Sequence, residues 1–298
     1  MAINADILGE LLSLLCAVAW AVAVVLFRKS GETVHPIGLN LYKSLLATLF
    51  LVPSILIFER DMLGNIAAVD YVICFISGVV GIAVSDTLFF KSLNRLGAGL
   101  SSIVMCLYSP FIIILSMFWL SESISFRQWL GTLLIVSAVA SAVSKPTDSD
   151  LDTRSVMIGL LWGVGYLFTN AIGVVLVKPV LDRSPVMWVT QMRIVGGIIC
   201  LLPMLYWHPH RREIVRTMFA KVGRVYTITG SFIGSYVAMI LWMGGMKYTT
   251  ASVAAILNQM STIFIFILAT VFLKEKMTTS RVVGVILGVA GTIFVMFG

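Results

Sequence analysis

Ten apolar runs decide what this chain can fold into. They lie near residues 8–27, 36–58, 69–91, 97–120, 127–144, 156–177, 186–206, 225–246, 249–273 and 279–297. Each is about twenty residues long, the length a helix needs to cross the hydrocarbon core of a bilayer. The runs are continuous rather than alternating, which excludes membrane-spanning strands. Apolar residues fill 59% of the 298 positions and charged residues 12%. Soluble domains carry about a quarter charged residues, so this chain cannot cover itself with a water-facing surface. An all-α, multi-pass integral membrane protein is predicted. The first run follows Asp6 and Glu10 without a basic leader and reads as a retained helix, not a cleaved signal.

The chain also repeats itself. Residues 81–131 reappear without a gap as 234–284, displaced by 153 positions, with 12 identities in 51. Gly81 matches Gly234, Ala98 matches Ala251, Phe111-Ile112 match Phe264-Ile265, Glu122 matches Glu275 and Gly131 matches Gly284. The first parts of the two copies correspond at a displacement of 150: Val24-Val25-Leu26 with Val174-Val175-Leu176, Arg28 with Lys178, and Lys43 with Arg193. The polar segment 144–155, SKPTDSDLDTRS, joins residues 8–143 to 156–297. Five spans per copy is an odd number, so the second copy enters the membrane from the opposite side, as in the inverted repeats of many secondary transporters. Transport is therefore the first functional reading. If the termini were cytoplasmic, the inside loops would hold five basic residues and the outside loops fourteen, among them Arg211, Arg212, Arg216, Lys221 and Arg224. The positive-inside rule accordingly favours both termini outside.

Each copy ends with an apolar helix, a Glu, a short polar turn and a Gly-led final helix: SPFIIILSMFWLSESISFRQWLG and STIFIFILATVFLKEKMTTSRVVG. Each also carries one basic residue in its second helix, Lys43 in NLYKSLLATLF and Arg193 in TQMRIVGGIIC, after Pro36 and Pro185. In this duplicated arrangement the chain resembles the EamA type of the drug/metabolite transporter superfamily over practically its whole length. The resemblance implies ten helices in two inverted five-helix repeats, with helices 1–4 and 6–9 around a central cavity and helices 5 and 10 peripheral. It also implies export of amino acids or other small metabolites, and cytoplasmic termini. That last implication opposes the charge count above.

Lys43 lies about seven residues into its helix, roughly 10 Å below the helix end, and Arg193 lies at the matching depth from the other face. Charges so deep must face protein or water. They read either as a pair of anchors for a carboxylate or phosphate, or as structural residues that snorkel or bond carbonyls. Asp86, about five residues before a loop expected at Lys91, has Met239 as its counterpart, so the repeat itself does not require a carboxylate there. It is a candidate proton carrier or amine ligand, and equally a structural partner of Lys43. Glu122 and Glu275 are expected to cap the next helix at the membrane surface. Trp20, Tyr42, Tyr108, Ser109, Trp162, Tyr166, Asn170, Gln191, Tyr236, Trp242, Asn258 and Gln259 are expected to include the cavity lining, the remaining aromatics belonging to the interfacial belt. Asn258-Gln259 stands out because two adjacent amides facing lipid would be costly. Pro110, in the middle of its span, is expected to kink it. Gly159/Gly163, Gly230/Gly234 and Gly284/Gly288 permit close helix packing, the last pair offering a homodimer contact through helices 5 and 10.

No catalytic constellation or phosphate-binding loop is visible, and no cofactor is expected. Cys16, Cys74, Cys106 and Cys200 fall inside spans, and His35, His208 and His210 lack carboxylates at metal spacing, so no metal or disulfide is expected. The net charge of +7 suits loops facing anionic headgroups rather than nucleic acid. The expectation is a bacterial inner-membrane secondary transporter exporting small metabolites, foremost amino acids, by alternating access. Multidrug or phosphorylated-sugar transport is the rival within that class. A membrane-embedded lipid-linked sugar flippase component, an enzyme or a channel is the rival outside it.

Overall fold

The computed structural model describes residues 5–59, 66–119, 125–143, 153–275 and 278–296. They are mostly helical: α1 (Ala5–Ser30), α2 (Pro36–Phe58), α3 (Ala68–Gly78), α4 (Ser85–Met105), α5 (Tyr108–Trp119), α6 (Phe126–Val143) and α7 (Thr153–Arg183). There follow α8 (Val186–Tyr206), α9 (Arg211–Met218), α10 (Arg224–Ser231), α11 (Ala238–Tyr248), α12 (Ala251–Asn258), α13 (Ser261–Phe272) and α14 (Thr279–Met296). Among the described residues six helices are long and apolar enough to cross a bilayer: Ile7–Ser30, Pro36–Phe58, Ala68–Met105, Arg154–Arg183, Val186–Tyr206 and Arg224–Tyr248. Glu122 and most of the polar linker, 144–152, lie outside the described residues.

Of the remaining apolar runs, two are unbroken as α6 and α14, and two are shorter helices because the backbone breaks them. The runs 97–120 and 249–273 are each divided, at Cys106-Leu107 and at Gln259-Met260, two sites 153 positions apart. Pro110 is not needed for such a break. It sits in the first turn of α5, where a missing N–H costs little, and the second break forms with Ile263 in the matching place. Two of the membrane-length helices, Ala68–Met105 and Arg224–Tyr248, also carry a π-helical turn, Val79–Val84 between α3 and α4 and Phe232–Val237 between α10 and α11, again displaced by 153. Such turns insert an extra residue into the helical ladder and frequently mark functional sites. Neither contains proline.

The expected loop at Lys91 is absent. The helix runs on, Lys91 Nζ lies 4.7 Å above the Trp162 ring, and the turn comes at Gly97, with φ 77° and ψ 174°. Only glycine adopts that backbone readily. Glu275, from beyond α13, accepts hydrogen bonds from Ala98 N and Gly99 N at 2.8 Å each. It therefore caps the restarted α4 across the seam between the two halves, not the following helix as the sequence suggested. On the other membrane face Glu59, which sequence reasoning passed over, accepts from Met187 N and Trp188 N at 2.9 Å and caps α8. Beside it Asp70 pairs with Arg183.

Small residues bring the central helices together. A Cβ at Gly78 would stand 1.9 Å from the Arg193 carbonyl oxygen, and one at Gly173 would stand 2.8 Å from the Gly81 Cα. Thus α3, α7 and α8 meet backbone to backbone at the first π turn, and Ser77 Oγ donates to Gly173 O at 2.6 Å. Gly159 and Gly163 face Leu96 and Val104, and Gly230 and Gly234 face Phe27 and Ala23, so these pairs serve packing within the chain. So do Gly288, against Cys106 and Ala138, and Gly291, against Gly131 O of α6. Phe27, Phe89, Phe90 and Leu39 are fully buried, whereas Leu49, Ile57 and Phe118 stand exposed on the outer wall, as lipid contact requires.

Candidate functional site

The helices around the π turns line a cavity of about 80 Å³. At roughly 10–15 Å³ per enclosed water, it holds on the order of five water-sized groups. Its lining is largely made of matched positions. Displaced by 150 are Cys16 and Tyr166, Trp20 and Asn170, and Lys43 and Arg193. Displaced by 153 are Gly81 and Gly234, Asp86 and Met239, Met105 and Asn258, and Tyr108 and Ser261. Leu167, Val174, Ser235, Ala238, Trp242 and Gln259 complete it.

Three charges enter this space, and they are not equivalent. Lys43 Nζ donates to Asp86 Oδ2 at 2.7 Å, both side chains being buried. Asp86 projects from the first turn of α4, just past the π turn that aims it inward. Asn40, one turn before Lys43 on α2, donates to Ile82 O at 2.9 Å, satisfying a carbonyl in that turn and fixing α2 against it. Arg193 is the exception. Its residue is 2% exposed, Nη1 approaches Met243 Sδ at 3.0 Å, and Nε has no partner among the described residues. Gly81 gives the guanidinium room, since a Cβ there would lie 3.1 Å from Nη2. A buried guanidinium without a carboxylate is costly, so the cavity is electrostatically incomplete.

Two further polar atoms lining the cavity lack protein partners among the described residues: the Tyr108 hydroxyl and Asn258 Oδ1. Both stand at the helix breaks. Gln259, at the second break, is used structurally, its Nε2 donating to Met105 O at 3.2 Å beside the first. The α4 and α13 segments cross there, and Thr262 Oγ1 donates to Ser102 O at 3.3 Å.

Of the polar and aromatic positions expected at the cavity, Trp20, Tyr108, Tyr166, Asn170, Trp242, Asn258 and Gln259 line it. Four others do not. Tyr42 packs on Phe219, Trp162 lies under Lys91, Gln191 Nε2 donates to Thr48 Oγ1, and Tyr236 shares a 2.7 Å hydrogen bond with Ser54. Polarity places a side chain away from lipid without saying which protein surface it meets. The side chain of Ser109 lies outside the described residues. Gly81, Gly234, Ser235 and Met239 were missed as lining. The signal that could have found most of the wall was the pairing itself, since a position whose displaced partner is polar or small is a candidate too.

Outside the cavity, His35, His208 and His210 gather around the start of α2, with ring centroids 5.2 Å and 5.9 Å apart. His35 Nδ1 accepts from Ile37 N and caps α2. Burial first, then the neighbouring His208 and Lys91, lowers the His35 pKa, with His210 adding to the effect and Glu213 opposing it. Among the described residues no group of three or more His, Cys, Asp or Glu side chains has metal-holding geometry.

Compared with known proteins, the chain matches the family described as the EamA-like transporter family over residues 7–144 and again over 157–297. A protein of Archaeoglobus fulgidus named "Uncharacterized transporter" is 22% identical over 279 residues, covering 92% of this chain and 93% of that protein. A second protein of that name, from Methanothermobacter thermautotrophicus, is 21% identical over 305 residues, covering 97% and 86%. A solved crystal structure superposes with a TM-score of 0.73, covering 97% of this chain and 96% of the other at 14% identity. That likeness is one of fold.

Proposed function

The chain belongs to the EamA-like transporter family, and on that basis we propose that it is a secondary transporter for small amino acids bearing a free carboxylate, working by alternating access. One observation carries the substrate class: the cavity holds a buried guanidinium, Arg193, that forms no ion pair among the described residues. A substrate carboxylate supplies the partner anion. Asn258 Oδ1 and the Tyr108 hydroxyl, the other unpartnered atoms, suit the donor end of an amino group. Trp20, Tyr166 and Trp242 give an apolar side chain its surface. This revises the roles read from sequence. Lys43 and Asp86 satisfy each other, so neither is the first contact for carboxylate or amine. Asp86 remains the candidate proton carrier, because protonation would release Lys43.

We take the chain to form ten spans in two inverted repeats. The seven matched pairs in the lining and the matched π turns and helix breaks support that reading. Contacts between elements support it too: Glu275 reaches Gly99 on one face, and Glu59 and Asp70 reach α8 and Arg183 on the other. Rocking of one repeat against the other would open the cavity to each side in turn. A homodimer through α6 and α14 would use their outward residues Trp129, Leu133 and Ile286, since Gly288 is engaged within the chain. Export across the plasma membrane is the direction we assign. Phosphorylated sugars would ask for a second free cation and multidrug substrates for a free carboxylate, neither of which the cavity offers among the described residues.

The test is a metabolite profile of the medium from cells overproducing wild type or Arg193→Gln at matched membrane levels. Enrichment of amino acids by wild type alone is expected. Equal enrichment by both would remove Arg193 from the mechanism, and enrichment of phosphate esters or lipophilic amines would overturn the substrate class.

A further inference from the structure

The segment between α8 and α10 has a composition that neither water nor the bilayer core would favour. α9 is seated by Ile214 and Met218, both buried, against α2 at Gly38, where a Cβ would stand 2.8 Å from Met218 Cγ. That seating turns Arg212, Val215, Arg216 and Phe219 outward, all of them exposed. On either side of α9, Trp207 is 76% exposed and Val222 71% exposed. Five basic residues, Arg211, Arg212, Arg216, Lys221 and Arg224, are interleaved with these apolar side chains. The only acidic residue of the segment, Glu213, turns to His210, at 3.8 Å. Among the described residues Arg212, Arg216, Lys221 and Arg224 enter no ion pair, and Arg211 stacks on Tyr206 at 5.1 Å.

We propose that this outward face of α9 and its flanks is a binding surface for anionic phospholipid headgroups of the surrounding membrane. The aromatic and aliphatic groups insert at the headgroup boundary, and the guanidinium and ammonium groups take the phosphates. A free phosphate or acidic protein is a poorer fit. The segment is tied at both ends to membrane-length helices, Val186–Tyr206 and Arg224–Tyr248, and so cannot leave the bilayer surface. A water-soluble partner would also leave Phe219 and Val222 without an apolar phase. The surface lies on the face that carries the excess of basic loop residues, which agrees with the positive-inside reading of the chain. Through Gly38 and the His35–His208 contact, the same segment holds the start of α2, the helix that bears Lys43.

Trp207 is the natural reporter. Full-length protein is placed in nanodiscs of phosphatidylcholine with a minor fraction of phosphatidylglycerol, the bromine quencher being carried on one lipid or the other. The Trp207 signal is the difference between wild type and Trp207→Phe. One basic residue near an anionic surface favours an anionic neighbour roughly fivefold. Quenching per lipid is therefore expected to be about fivefold or more stronger from brominated phosphatidylglycerol at low salt. The preference should fall toward unity at about 1 M salt, where the screening length is ~3 Å. Arg211→Gln/Arg212→Gln/Arg216→Gln should abolish it, while Arg95→Gln, on the same face but off α9, should leave it intact. Equal quenching by the two lipids overturns the proposal, as does a preference unmoved by salt. The salt series needs only wild type and Trp207→Phe, so a poorly folded triple variant cannot shelter the idea.

Discussion

Removing one member of the Lys43–Asp86 pair should be far worse than removing both. The ions are 2.7 Å apart with side chains 6% and 10% exposed. At an effective dielectric of about 20 and ~4 Å between charge centres, their attraction is on the order of 4 kcal/mol, offset by several kcal/mol of desolvation per ion. The pair as a whole is therefore near neutral. Deleting one partner leaves the other buried and uncompensated, which costs about 3–5 kcal/mol. Lys43→Met and Asp86→Asn are each expected to lower the thermal midpoint of the detergent-purified protein by several degrees. The double variant should recover most of the loss, so the cycle gives a coupling energy larger than either single loss. Transport by the double variant then separates the two roles of Asp86. A purely structural pair predicts recovered transport; a proton carrier predicts a stable protein that no longer responds to a pH gradient. Additive single losses, with no recovery in the double, would refute the pairing argument.

Glu275→Gln loses the charge in its two hydrogen bonds to Ala98 N and Gly99 N. It should cost about 1–3 kcal/mol, read as a lower thermal midpoint, with Glu275→Ala worse. Gly78→Ala should prevent recovery of folded protein, because the new methyl would stand 1.9 Å from a backbone oxygen, whereas Gly165→Ala, 3.3 Å from a Leu88 methyl, should be tolerated; monodispersity on size exclusion compares them. Burial holds His35 below the ordinary imidazole pKa of about 6.5, so the folded state favours its neutral form. The stabilising contribution is thus present above that pH and lost as pH falls through the lowered value. A thermal midpoint followed downward from neutral pH should drop, and His35→Gln should flatten the drop.

Much of this architecture was legible because bilayers leave few choices. Hydropathy placed α2 and α8 to the residue, since Pro36 and Pro185 mark their starts. The repeat matched Lys43 with Arg193 and left open whether they were anchors or structural residues, and depth alone suggested that Asp86 could meet Lys43. What failed depended on backbone irregularity or on distant partners. Hydropathy does not register the π turns, and Lys91 looked like a loop because one charge resembles a boundary, though its ammonium rests on Trp162. Pro110 drew attention as a helix breaker, yet the matched break at Gln259 forms without a proline. Glu275 reads locally as a cap for the next helix, and only the fold brings Ala98 to it. Above all, the sequence offered Lys43 and Arg193 as equals. Geometry separates them, because Lys43 has Asp86 while Arg193 has Met243 Sδ and, among the described residues, no ion pair.

The central claim is that Arg193 receives a substrate carboxylate, and equilibrium binding to purified protein tests it most directly. A panel of L-amino acids and their decarboxylated amines is titrated into wild type, Arg193→Lys and Arg193→Gln. A hydrogen bond to a charged group contributes about 1.5–3 kcal/mol, or roughly 10–100-fold in affinity. Amino acids should bind wild type, bind Arg193→Gln weaker by that factor, and fall between the two with Arg193→Lys, while the amines should not compete. Amines binding as well as their parent acids, or Arg193→Gln binding like wild type, would contradict the account.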